Sequence, residues 1–132
     1  MQEITPFLMF VGKAEEAMNF YVSLFERSEI ERIRRYGPEG PGAEGSVMHA
    51  TFSLAGHRFM CIDSPDVHAF TFTPSTSFFI TCATEAEIDR LFAGLSEGGE
   101  VLMPLDAYPF AAKYGWVNDR YGVSWQLALN PV

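Results

Sequence analysis

Apolar positions along this chain come in short blocks whose spacing switches between period two and period 3.6. Residues 4–11 form a compact apolar run closed by Gly12, which predicts a strand. Over 13–26, Ala14, Ala17, Tyr21, Leu24 and Phe25 share one helical face. Residues 29–36 read as a second strand. Residues 37–45 hold four glycines and two prolines and predict an exposed loop. Residues 47–54 and 57–62 then read as a hairpin turning at Ala55–Gly56. A connector follows over 63–75, marked by Pro65 and Pro74.

After the connector the same order returns. Residues 77–82 predict a strand. Thr84 and Glu87 have the spacing of a capping box, in which the hydroxyl accepts from the Glu87 amide and the carboxylate reaches back. Ile88, Leu91, Phe92 and Leu95 make the helical face behind it, and Gly98–Gly99 predicts a left-handed stop. Residues 100–103 read as a strand ended by Pro104. A last hairpin is expected from 116–118 and 123–129, with its turn over 119–122. Shifting the chain by 71 lays Phe7 on Phe78, Met9 on Ile80 and Leu24 on Leu95. Beyond the glycine-proline loop the shift becomes 66, and Gly56 meets Gly122. Two βαβββ modules in one domain of 132 residues are therefore expected: module one over 1–63, a connector over 64–75 and module two over 76–132.

Composition narrows the partners. Nine basic against 17 acidic side chains give a net charge of −8, the wrong sign for neutralising phosphates, so neither nucleic acid nor an anionic membrane is an expected partner. Twelve Phe, five Tyr and two Trp are enough to pack a core and also line a pocket. Cys61 and Cys82 form no CxxC and read as buried thiols in a reducing cytoplasm. The chain starts without a basic segment leading an apolar one, which also fits a cytoplasmic location.

The repeat resembles the vicinal oxygen chelate superfamily, which includes glyoxalase I, the bleomycin-resistance proteins and extradiol dioxygenases. The stretch 17–25, with Phe20-Tyr21 followed by Leu24, is similar to that superfamily's first helix, and 119–127 to its closing hairpin. The PhnB-like branch, also labelled a 3-demethylubiquinone-9 3-methyltransferase domain, is the nearer match. Residues 95–101, Met103-Pro104-Leu105, 114–117 and 122–127 carry that likeness. The resemblance implies an α+β fold in which paired βαβββ modules form a curled mixed sheet, a cup with helices outside, and it implies a homodimer. A Rossmann-type methyl transfer has no support in the chain, which lacks a glycine-rich strand-turn-helix.

Metal-dependent members of the superfamily place ligands on the first and last strand of each module. Carried onto this chain, those positions are Pro6, Met60, Ser77 and Gln126, with no carboxylate or imidazole among them. No metal and no other cofactor is therefore expected. Strand alternation puts Arg58, Met60 and Ile62 inside the cup, with Ser124, Gln126 and Ala128, with Ser77, Phe79 and Thr81, and with Leu8 and Phe10. His49 alternates with Thr51 and Ser53 toward the same side and is a candidate base or donor. Tyr108, Phe110, Lys113, Tyr114 and Trp116 fall near the rim. The candidate ligand-binding residues are His49, Arg58, Met60, Ser77, Phe79, Gln126, Trp116 and Phe10, with Arg58 as the anchor for an anion. The expected function is metal-free binding of a small, partly apolar organic ligand. The alternatives are a divalent-metal-dependent isomerase, lyase or dioxygenase with a site rebuilt from His49, His57, His68, Asp63 or glutamates, and a regulatory or interaction module without a ligand.

Overall fold

The computed structural model describes residues 1–131. The chain divides into two compact units, Met1–Ala69 and the segment from Phe70 onward, so the boundary falls within the expected connector. The fold is α+β, with the βαβββ order present in each unit.

In the first unit, β1 (Phe7–Phe10) leads into α1 (Ala14–Leu24), followed by β2 (Glu29–Arg35), β3 (Val47–Leu54) and β4 (His57–Asp63). The sheet order is β1-β4-β3-β2, with β1 parallel to β4 and the other pairs antiparallel. One face packs on α1. Tyr21 stacks near Phe52, with ring centroids 6.5 Å apart, and Phe52 stacks on Phe59 at 5.4 Å. Ala14, Ala17, Met18 and Tyr21 are the buried helix positions. Leu24 and Phe25, expected on that face, are only half-buried, and Met18 takes the central place.

The start of α1 is tied down from a distance. Lys13 at the N-cap offers no side-chain acceptor. Asp63, at the end of β4, supplies one instead: Oδ1 accepts from the Ala14 amide and Oδ2 from the Val47 amide, both at 3.0 Å. The same carboxylate therefore closes a helix end and the first rung of β3. The loop over 37–45 is irregular, as expected, and folds around one ring. Tyr36 donates its hydroxyl to the Asp63 carbonyl at 3.0 Å. Gly40 and Gly42 lie flat on it, and a Cβ at Gly42 would come within 2.4 Å of the ring. This loop is thus packed on its own unit.

In the second unit, β5 (Phe78–Cys82), α2 (Glu85–Ser96), β6 (Glu100–Tyr108), β7 (Ala111–Asn118) and β8 (Ser124–Pro131) give the matching order β5-β8-β7-β6. The capping box forms: the Glu87 amide donates to Thr84 Oγ1 at 3.2 Å, and the Glu87 carboxylate reaches back to the Ala83 amide at 2.9 Å, one residue before the cap itself. Two expectations need correction. Strand β6 runs through Pro104 to Tyr108, and β7 begins at Ala111 rather than 116. Pro104 is tolerated because β6 is the sheet edge and the ladder shifts register between Met103 and Asp106, so no pairing partner loses an N–H.

Cys61 and Cys82 are free and buried. Burial pushes the Cys61 thiol up to about 12 and the Cys82 thiol up to about 11, so both stay protonated at neutral pH and pack as small apolar groups. Among the described residues, no helix is long and apolar enough to cross a membrane.

Candidate functional site

Each sheet has a helix-packed face and an open face, and the strand register decides which residues go where. In the second unit, Gln126 on β8 lies opposite Phe79 on β5 and Trp116 on β7, so the three share the open face. Gln126 is engaged at both ends of its amide. Its Oε1 accepts from the Tyr114 hydroxyl, and its Nε2 donates to Ser77 Oγ at 2.7 Å. The Trp116 indole N–H donates to Ser124 Oγ at 2.8 Å. Burial, and then the neighbouring Tyr108, raise the Tyr114 phenol above its ordinary value, which keeps it a neutral donor. Tyr114 and Ala128 pack with Met103, Tyr108 and Trp116 into an apolar patch beside this network. Phe110 caps it edge-on against Tyr114, with centroids 4.8 Å apart.

The structure therefore places Ser77, Phe79, Gln126 and Trp116 side by side on this face. Tyr114 was legible only as a rim residue, because β7 was not expected to begin before 116. Lys113 is not at a rim. It lies on the helix side and pairs with Asp89 at 2.6 Å and Glu85 at 3.6 Å. Trp125 is core, as its alternation implies, with its indole N–H on Asp119 Oδ2 at 2.8 Å and its ring 5.2 Å from Phe78.

In the first unit, Met60 lies opposite Phe7 and Thr51 on the open face. His49 joins them, its ring centroid 6.0 Å from that of Phe7. Arg58 is on this face too, opposite Ser53, but it is an unsuitable anion anchor. It pairs with Glu31 at 3.3 Å and with Glu3 at 3.7 Å. Phe10 and Leu8 are corrections. Phe10 lies opposite Asp63 and Leu8 opposite Cys61, so both belong to the helix side and are buried, Phe10 with 4% exposure. The open-face residues of β1 are Phe7 and Met9.

The metal positions implied by the superfamily can be tested against this geometry. The Met60 amide is bonded to the Pro6 carbonyl, and neither side chain is a hard donor. Ser77 and Gln126 spend their polar atoms on each other and on Tyr114. Asp63, a possible substitute, has both carboxylate oxygens committed to backbone amides. His57 and His68 are exposed, one at the start of β4 and one in the connector. Among the described residues, no group of three or more His, Cys, Asp or Glu side chains is placed to hold a metal ion. The donor set does not fit a divalent metal.

Two βαβββ units, each with a helix on one face of a mixed four-stranded sheet, define a protein of the vicinal oxygen chelate class. Residues 2–128 match the family described as 3-demethylubiquinone-9 3-methyltransferase, and the chain belongs to that family. The PhnB protein from Bacillus cereus is 63% identical, with a TM-score of 0.94, the match covering 97% of this chain and 99% of that one. A protein from Pseudomonas aeruginosa is 29% identical over 98% of both chains, with a TM-score of 0.85. A glyoxylase/bleomycin resistance protein/dioxygenase domain from a Frankia species shares the fold at 12% identity and a TM-score of 0.65, over 98% of this chain and 93% of that one. No curated protein gives a match.

Proposed function

We propose that the protein binds a small, partly apolar organic molecule and does so without a metal ion. One observation carries the reading: Ser77 and Tyr114 hold the Gln126 amide at both ends, at the position where the resemblance to the superfamily implies a last-strand carboxylate in its metal-dependent members. A side chain so held keeps one N–H and one carbonyl lone pair in a fixed orientation for recognition and brings no charge to hold an ion. Phe79 and Trp116 supply flat apolar surface around it, with the buried Tyr114 ring behind them. The family's name does not argue for Rossmann-type methyl transfer here, because both sheets are mixed and built on antiparallel hairpins, not doubly wound.

The test has two readouts on the protein purified without a metal-affinity tag. Elemental analysis is expected to find far less than one equivalent of iron, nickel, zinc or manganese, with EDTA leaving the melting temperature unchanged. Screening small aromatic and heteroaromatic compounds is expected to find some that raise it, because a ligand binding only the folded state must stabilise it. Stoichiometric metal that survives dialysis, with EDTA lowering the melting temperature, would overturn the metal-free reading.

The proposal extends to a homodimer in the cytoplasm. A closed twofold pair is the commonest oligomer, and buried free thiols suit a reducing compartment. Sedimentation equilibrium at micromolar concentration is expected to give a dimer, and a monomer alone would refute the assembly.

A further inference from the structure

The first unit's open face divides into an apolar half on β1 and β4 and a charged half along β2. Register links its four strands in a continuous row: Phe7 on β1 opposite Met60 on β4, Met60 opposite Thr51 on β3, and Thr51 opposite Arg32 on β2. The neighbouring row has Met9 opposite Ile62, and His49 opposite Arg34. One side of the face is thus Phe7, Met9, Met60 and Ile62, and the other is Arg32 and Arg34 with His49 between.

The arginines of this unit do not have equal partners. Arg35 is held from the helix side by Glu15, whose two carboxylate oxygens each accept at 2.7 Å. Arg58 is shared between Glu3 and Glu31. Among the described residues, the side chains of Arg32 and Arg34 form no ion pair and no hydrogen bond. Glu29 lies on the same face at its Arg58 end, opposite Ser53, and Glu31 and Glu3 are taken up by Arg58, so Arg32 and Arg34 are the two guanidinium groups left without an ion pair beside the apolar floor. Three strand spacings separate β1 from β2, about 14 Å. That span places an apolar body of one or two rings over Phe7 and Met60 while its head group reaches the arginine forks, which match a planar or tetrahedral oxyanion.

We infer that the first unit's open face binds an organic oxyanion, a carboxylate, sulfonate or phosphate carried on an apolar body, with Arg32 and Arg34 taking the charge in place of Arg58. This rests on reading the protein as a small-molecule binder, and the two readings fail differently.

The experiment compares two fluorescent probes of similar size, anionic 1-anilinonaphthalene-8-sulfonate and uncharged N-phenyl-1-naphthylamine. The wild-type protein is expected to bind both, the anion more tightly and with an affinity that falls as salt is added. In the double variant Arg32→Gln/Arg34→Gln, the dissociation constant for the sulfonate is expected to rise by about tenfold or more, the loss of charge-assisted hydrogen bonds. Binding of the uncharged probe should be unchanged, which also shows that the variant is folded. Arg35→Gln, on the other face, should affect neither probe. If the uncharged probe binds but the double variant leaves sulfonate binding intact, the oxyanion inference is wrong and small-molecule binding stands. If neither probe binds saturably, both readings fall.

Discussion

Asp63→Ala is expected to destabilise the protein by roughly 3–5 kcal/mol, a large share of the 5–15 kcal/mol typical of a domain. Asp63 is 4% exposed, and its two oxygens accept from two amides with no alternative partner in their elements. The Ala14 amide is an unsatisfied donor of the first helical turn, and the Val47 amide opens β3. Each amide left buried without an acceptor costs about 1–3 kcal/mol. Loss of a negative charge at the positive end of α1 adds to this. Asp63→Asn keeps one acceptor and turns an NH2 toward the other amide, so it should recover only part of the loss. Urea denaturation checks both variants through the midpoint, at unchanged slope. A loss below about 1 kcal/mol for Asp63→Ala would mean that water replaces the carboxylate and that it is not the tie between α1, β3 and β4.

The structural role of Asp63 was not legible in its neighbourhood. It stands next to Ser64-Pro65, which marks the start of a connector, and its two partners lie 49 and 16 residues away. No local pattern encodes such a bond. What local pattern did encode is what depends on few residues: the capping box at Thr84, the α2 face and the Ala55–Gly56 turn, where both residues have positive φ. The Pro104 stop failed because a proline's effect depends on whether its missing N–H faces a neighbouring strand, and edge position is a property of the sheet.

The open faces show how a single residue of register decides a site. An offset of 71 carries Ser77 and Phe79 back to Pro6 and Leu8, and so points Leu8 and Phe10 into the cup. In the structure Phe79 pairs with Gln126 whereas Phe7 pairs with Met60. With Met60 and Gln126 taken as equivalent, the first-strand offset is 72, and every side chain of β1 changes face. Hydrophobicity could not reveal this, because all four residues of β1 are apolar and alternation leaves no mark. The face of Gln126 does not depend on that offset, because it is set within β8 by its place opposite Phe79 and Trp116. Arg32, Arg34 and Arg35 stand in one short run of the sequence with Glu29 and Glu31 beside them. Only the pairing of each arginine separates the two unpartnered ones from Arg35 and Arg58.

The Gly98–Gly99 doublet provides the second large expected effect, and its two members should behave differently. Gly98 has φ of +75°, and a Cβ there would find its nearest neighbour, Arg120 Cβ, at 3.4 Å. The cost of Gly98→Ala is therefore the left-handed backbone alone, about 1–2 kcal/mol. Gly99 has no such backbone demand. A Cβ on it would lie 2.1 Å from the Asn118 carbonyl oxygen and 2.9 Å from the Asp119 carbonyl carbon. Those atoms are the end of β7 and the start of the β7–β8 turn. The turn is itself fixed by Asp119, whose Oδ1 accepts from the Tyr121 and Val123 amides at 2.8 and 3.1 Å. Gly99 is pinned from its own side by its amide on the Ser96 carbonyl at 3.0 Å. Neither backbone can yield alone, so relief requires parting the end of α2 from the β7–β8 turn. Gly99→Ala is expected to cost roughly 3 kcal/mol or more, at the upper end of overpacking losses. Thermal melts of the two variants should rank Gly99→Ala well below Gly98→Ala. The reverse order would show that the close approach at Asn118 relaxes freely and that the doublet serves only to stop the helix.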